Sequence, residues 1–225
     1  MKLYYTAVSS NVKTGNVPSQ WIGATQDDSK KSCHDNDGTP CPLLEKVCYA
    51  HNGTVGRMGF ASVIRTASKK LKSYSLREAL NGRSEEAKYV RFGTIGDPSA
   101  IDKSTYSKHY NLIRRLGLGV LSYTHFWMKG SKGEHLKGRA LASCDTIEQA
   151  KVAVDQGWRA TVHLDDIQPT AGKLDGKYSY TVCPAQRGYA KVGKKQVQRD
   201  NPVYNKRYKG ITCNDCGLCD PARRN

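Results

Sequence analysis

Short apolar runs alternate along the chain with stretches of helical periodicity. Leu3, Tyr4, Tyr5, Ala7 and Val8 predict a first strand over 3–8, and 9–18 is turn-rich. Phe60, Val63, Ile64, Leu71, Leu76 and Leu80 recur at helical spacing, which predicts a helix over 58–80 that Asn81-Gly82 punctuates. A strand over 89–93 ends in Thr94-Ile95-Gly96-Asp97, and a helix over 104–116 follows. Strands over 119–123 and 139–143 end at Thr124-His125 and Cys144-Asp145. A helix over 146–156 stops at Gly157, a strand spans 158–164, and a sixth strand over 178–182 runs into Cys183.

Strands that alternate with helices imply βαβ units and a mostly parallel sheet. The expected fold is an α/β barrel or partial barrel of TIM-like type over 1–185, with a basic, cysteine-rich tail over 186–225 that closes on Cys183. Asp97, His125, Cys144, Asp145, Asp165, Asp166 and Cys183 fall at or just after predicted strand ends. In a parallel barrel those ends share one face, the usual site of chemistry. Asp97, His125 and Asp145 are therefore the candidate catalytic residues. The bland alternatives are a turn or helix-start carboxylate for Asp97, a structural histidine for His125, and a solvated pair for Asp165 and Asp166. Cys144 reads as a small buried residue.

Composition narrows the picture. A chain of 225 residues that is 38% hydrophobic can bury a core. It has no apolar run long enough to span a bilayer, and its start does not resemble a signal peptide. A cytoplasmic protein is expected, and there eight cysteines favour metal binding over disulfides. The formal net charge of +16 favours an anionic partner. Lys69, Lys70 and Lys72 form one basic cluster. Lys191, Lys194, Lys195, Arg199, Lys206, Arg207 and Lys209 form a second, interleaved with Tyr189, Tyr204 and Tyr208. Cations that track phosphates among rings that stack on bases suit a nucleic acid. No phosphate loop, dinucleotide fingerprint or Gly-x-Ser-x-Gly elbow is present in its full context.

The cysteines fall in two groups. Cys213, Cys216 and Cys219 make a C-x2-C-x2-C run, and Cys183 completes four thiolates suited to zinc or an iron–sulfur cluster. A structural metal that staples the tail is the expected role. Cys33, Cys41 and Cys48 lie in one polar loop. They suit a [4Fe-4S] cluster whose fourth iron is open to an exogenous ligand, or a zinc completed by His34 or His51.

Cys41-Pro42, Cys48-Tyr49-Ala50, Gly96-Asp97, Tyr123-Thr124-His125, Val182-Cys183-Pro184-Ala185 and the final cysteine run occur in this order. As a set they resemble a family of small, uncharacterised bacteriophage proteins over nearly the whole chain. More remotely, a cysteine loop ending in Cys-Tyr-Ala resembles phage-associated relatives of radical S-adenosylmethionine (SAM) enzymes. There, three cysteines hold a [4Fe-4S] cluster and SAM binds its open iron. The spacing here is C-x7-C-x6-C rather than C-x3-C-x2-C. The resemblance, taken with the basic charge, implies an iron–sulfur enzyme that modifies nucleic acid or a nucleotide, with DNA the expected partner, in the host cytoplasm. Two other readings stand beside it: a zinc-containing barrel DNA transglycosylase with Asp97 as nucleophile, and a zinc-stapled nucleic-acid binder without catalysis.

Overall fold

The computed structural model describes residues 1–9, 14–44, 48, 54–69, 74–162, 171–183, 190–192, 195–197 and 211–223. Strand β1 (Leu3–Thr6) pairs antiparallel with β2 (Ser19–Ile22), placing Tyr4 opposite Trp21 and Tyr5 opposite Gln20. Among the described residues three helices lie between β2 and β3: α1 (Gln26–Ser32), α2 (Thr54–Ser68) and α3 (Leu76–Asn81). Strand β3 (Tyr89–Ile95) runs parallel to β2. Helix α4 (Lys103–Arg115) crosses over to β4 (Gly119–Leu121), which runs parallel to β3.

One residue, Ser122, separates β4 from β5 (Tyr123–Thr124), the first strand of a second sheet. That sheet continues, all parallel, through β6 (Leu141–Cys144), α5 (Ile147–Asp155) and β7 (Ala160–Val162). Two antiparallel pairs follow, β8 (Ala171–Leu174) with β9 (Tyr178–Thr181) and β10 (Ala190–Val192) with β11 (Lys195–Val197). A one-turn helix, α6 (Cys213–Cys216), begins the C-terminal loop.

The expected barrel is not formed. The described residues make a mixed α/β fold of small sheets with four, three, two and two strands, none of them closed. Two physical reasons stand out. Strand β1 returns antiparallel against β2, so the first two strands do not make a βαβ unit. The four-stranded sheet is also covered on both faces. Tyr4 and Trp21 face α2 in a cluster with Phe60, Val63 and Ile95, where the Trp21 and Phe60 rings stack at 6.0 Å. Tyr5, Ile22, Val90 and Phe92 face the larger core, with Leu76 and Leu80 of α3 and Tyr106, Tyr110 and Ile113 of α4. A helix thus occupies the face that a barrel would turn inward.

Other expectations shift in detail. The helix expected over 58–80 is two helices, because Ser75 and Glu78 form a capping box that starts α3 afresh. The sixth expected strand pairs antiparallel with β8 and does not join the parallel sheet. Strand β2 and helix α1 had no place in the sequence reading. Helices α4 and α5 fall where the periodicity puts them, capped by Asp102 and Thr146. Among the described residues no helix is long and apolar enough to cross a membrane.

Candidate functional site

Helix α1 carries the chain to the first thiol. Its N-cap, Thr25, accepts from the Asp28 amide at 3.1 Å, and the helix ends at Cys33, whose amide reaches the Lys30 carbonyl at 2.9 Å. From there 33–41 doubles back. An antiparallel bridge joins His34 to Pro40, and the Cys41 amide donates to the Cys33 carbonyl at 2.7 Å. Two cysteines eight residues apart along the sequence are thereby neighbours at the base of one loop. The next turn brings the chain back again, with the Cys48 amide bonded to the Leu43 carbonyl at 2.9 Å. Cys33 and Cys41 pack with Leu43, Leu44 and Phe126, while Cys48 packs against the Tyr4–Phe60–Val63–Ile95 cluster.

Lys132 holds this loop from the β5–β6 connection. Its ammonium donates to the Ser32 carbonyl at 2.7 Å and to the His34 carbonyl, and its amide donates to Asp35 Oδ1 at 3.0 Å. The same ammonium lies 4.3 Å from the centre of the Phe126 ring. Burial lowers the Lys132 pKa, against the opposing pull of Asp97, Cys33 and Asp35.

Asp97 stands at the centre. Its Oδ1 accepts from the Ser99 amide and the Thr124 hydroxyl, both at 2.9 Å, and its Oδ2 accepts from the His125 amide at 3.0 Å. Its own amide donates to Ser32 Oγ at 3.0 Å, and Ser32 in turn donates to the Ser29 carbonyl. One carboxylate therefore ties the end of β3 to the end of β5, while its amide ties β3 to α1. Gly96 makes the approach possible. It has φ +83°, and a Cβ there would lie 2.6 Å from Ser32 Oγ. The turn-carboxylate alternative describes Asp97 well.

His125 and Asp145 complete the group. The His125 ring Nε2 is 3.1 Å from Ser143 Oγ, and the Asp145 amide donates to Gln149 at the start of α5. Burial, then the charges of Asp97, Cys41 and Cys48, push the Cys33 thiol up to about 12. Burial, with Asp97, Cys48 and Asp145 adding to it, pushes Cys41 up to about 11. The structure thus gathers Cys33, Cys41, Cys48, Asp97, His125 and Asp145 at the ends of β3, β5 and β6. Cys144 is buried, as expected.

The second thiol group docks at the opposite end, against the starts of β3, β4 and β7. Asn214 donates to the Glu86 carbonyl at 2.9 Å and accepts from the Lys88 amide at 2.8 Å. The Arg159 guanidinium donates to the carbonyls of Leu218, Asp220 and Arg223, and Asp220 pairs with Arg114 at 2.8 Å. Gly217 turns the chain at φ +61° beneath Tyr89, whose hydroxyl lies 1.9 Å from where a Cβ would stand. Burial raises the Cys219 pKa first, and the neighbouring Cys183 and Cys216 raise it further, while a hydrogen bond from the Tyr123 hydroxyl lowers it. Cys213 lies within the electrostatic reach of the same tyrosine. The two cysteine groups are therefore separate, each with its own supports.

Among the described residues, no three His, Cys, Asp or Glu side chains stand in the convergence of a formed metal centre. The donor chemistry of the first group nevertheless suits a cation. The Cys33 and Cys41 thiols are desolvated beside Asp97, with Cys48 within electrostatic reach of both, and protons or a metal must balance that potential charge. His51, Asp165, Asp166, Lys194, Arg199, Lys206, Arg207 and Lys209 lie outside the described residues, and Lys195 is described only as backbone at the start of β11. Ser32, Thr124, Lys132, Asn214 and Arg159 were missed by sequence reasoning. Only Thr124, inside the Tyr-Thr-His run, carried any signal there.

No family model, curated protein or solved structure matches the chain.

Proposed function

We propose that the chain is an iron–sulfur enzyme of radical-SAM-like type that modifies nucleic acid, DNA foremost. Cys33, Cys41 and Cys48 would hold a [4Fe-4S] cluster, with S-adenosylmethionine at its open iron. The observation that carries this reading is the loop closure that seats Cys33 beside Cys41 and returns Cys48 toward them, next to Asp97 at the strand ends. The likeness of the Cys-Tyr-Ala loop to radical SAM relatives supports the choice of cluster and cosubstrate. When bound and reduced, such a cluster supplies an electron for one-electron chemistry on SAM.

The chain's own groups have separable tasks. Lys132 places a positive charge beside the Cys33 loop and fixes its path through two carbonyls. Asp97 aligns β3, β5 and α1. Both of its oxygens are engaged by three donors, so the geometry does not favour it as the nucleophile of a transglycosylase. The His125 ring and the Asp145 carboxylate are half-buried at the same strand ends, which supports them as the groups that would meet a substrate. The thiols of Cys183, Cys213, Cys216 and Cys219 would hold a zinc or a second cluster that pins the C-terminal loop.

The test is SAM cleavage by dithionite-reduced protein, with and without duplex DNA. His125→Ala is expected to lower turnover by about 10²-fold while leaving DNA affinity unchanged. Cluster-loaded protein that cleaves no SAM would contradict the proposal. Equal DNA binding with no turnover in either protein would favour the binder.

A further inference from the structure

Helix α4 presents two very different faces. Tyr106, Tyr110 and Ile113 are buried in the core. Lys108, Asn111, Arg114 and Arg115 line an open groove of about 540 Å³ on the outer side. From Lys103 to Arg115 the helix contains four Lys or Arg residues and no acidic residue. Arg114 is paired with Asp220, but among the described residues no ion pair engages Lys108 or Arg115. The helix dipole accounts for cations in the last turn, where Arg114 and Arg115 lie. It does not account for Lys108 at mid-helix, nor for a face whose one compensating carboxylate, Asp220, is taken by Arg114.

We infer that this groove is a nucleic-acid backbone site, formed by residues other than those of the basic tail. The inference deepens the proposed action on nucleic acid and rests on that reading for its partner. Lys108 and Arg115 are seven residues apart, roughly 10 Å along the helix axis. A DNA strand presents a phosphate about every 3.4 Å of axis, so the row spans about three phosphates. Asn111 lies between the two cations and adds a neutral donor, as phosphate contacts often include. Contacts of this kind position a duplex without reading its sequence.

The experiment uses the full chain and a fluorescent duplex of about 20 base pairs, titrated between roughly 50 and 200 mM salt. The double variant Lys108→Ala/Arg115→Ala leaves the Arg114–Asp220 pair in place. Its melting temperature should match that of the wild type, since both side chains are exposed. Its affinity should fall about tenfold or more, equally on two unrelated sequences. The slope of log affinity against log salt should become shallower by about 2, the value for two lost phosphate contacts. Unchanged affinity and slope would overturn the inference. If Lys206→Ala/Arg207→Ala alone weakened binding, the nucleic-acid reading would survive without this groove. No binding by the wild type at the lowest salt would overturn both. Preferential binding of anionic lipid vesicles, lost in the same double variant, would reassign the groove and overturn its link to nucleic acid.

Discussion

Asp97 shows how one side chain can tie a site together. Its three accepted hydrogen bonds join elements far apart in sequence, and it is only 6% exposed. Asp97→Ala should cost about 3 kcal/mol or more, because buried donors to a charged acceptor lose their partner. Asp97→Asn, which keeps one acceptor oxygen, should cost visibly less in the same urea denaturation experiment. Equal losses would mean that the charge and its bonds contribute nothing special. Cys144 supplies a prediction in pH. Burial first, and then Asp145, push its thiol from the ordinary value of 9.0 up to about 12. The folded form therefore holds its proton longer than the unfolded chain. The stabilising contribution is complete below pH 9 and is lost as pH rises toward 12. Cys144→Ala should flatten that alkaline decline in metal-free protein; an identical decline would assign it to other groups.

At the scale of elements, the C-terminal loop is held by a few polar anchors more than by apolar contact. Arg159 satisfies three carbonyls of this loop with one guanidinium. Arg159→Met should therefore loosen 211–223 at a cost of about 2 kcal/mol. Limited proteolysis should detect it as faster cleavage after Gly217, with the parallel sheets still protected; unchanged cleavage would show that other contacts suffice. Much of this level was legible in the sequence. The 3.6-residue periodicity placed α4 and α5, and the short β-prone runs placed β1, β3, β6 and β7. What the sequence concealed were features set by long-range pairing. Strand β2 is too short and polar to announce itself, since Gln20 becomes a core residue by bonding the Tyr5 hydroxyl and the Gly93 amide. Periodicity also cannot tell a sheet covered on both faces from one that curls into a barrel. The clustering of Tyr4, Trp21 and Ile95 on α2 decided that here.

At the scale of the molecule, the strand ends gather one thiol group with Asp97, His125 and Asp145, and the strand starts hold the other. Cysteine spacing predicted both groups but could not say whether they meet. The answer lies in residues with no motif of their own, Lys132 on one loop and Asn214 and Arg159 on the other. The most direct test of the iron–sulfur account is metal analysis of protein purified without oxygen, beside Cys41→Ser. The account predicts a brown wild-type protein with iron and acid-labile sulfide, bleached by dithionite. The variant should lose roughly four irons per chain and the matching absorption, and should keep whatever metal the C-terminal thiols hold. A colourless wild-type protein carrying zinc alone, or a variant with undiminished iron, would contradict it.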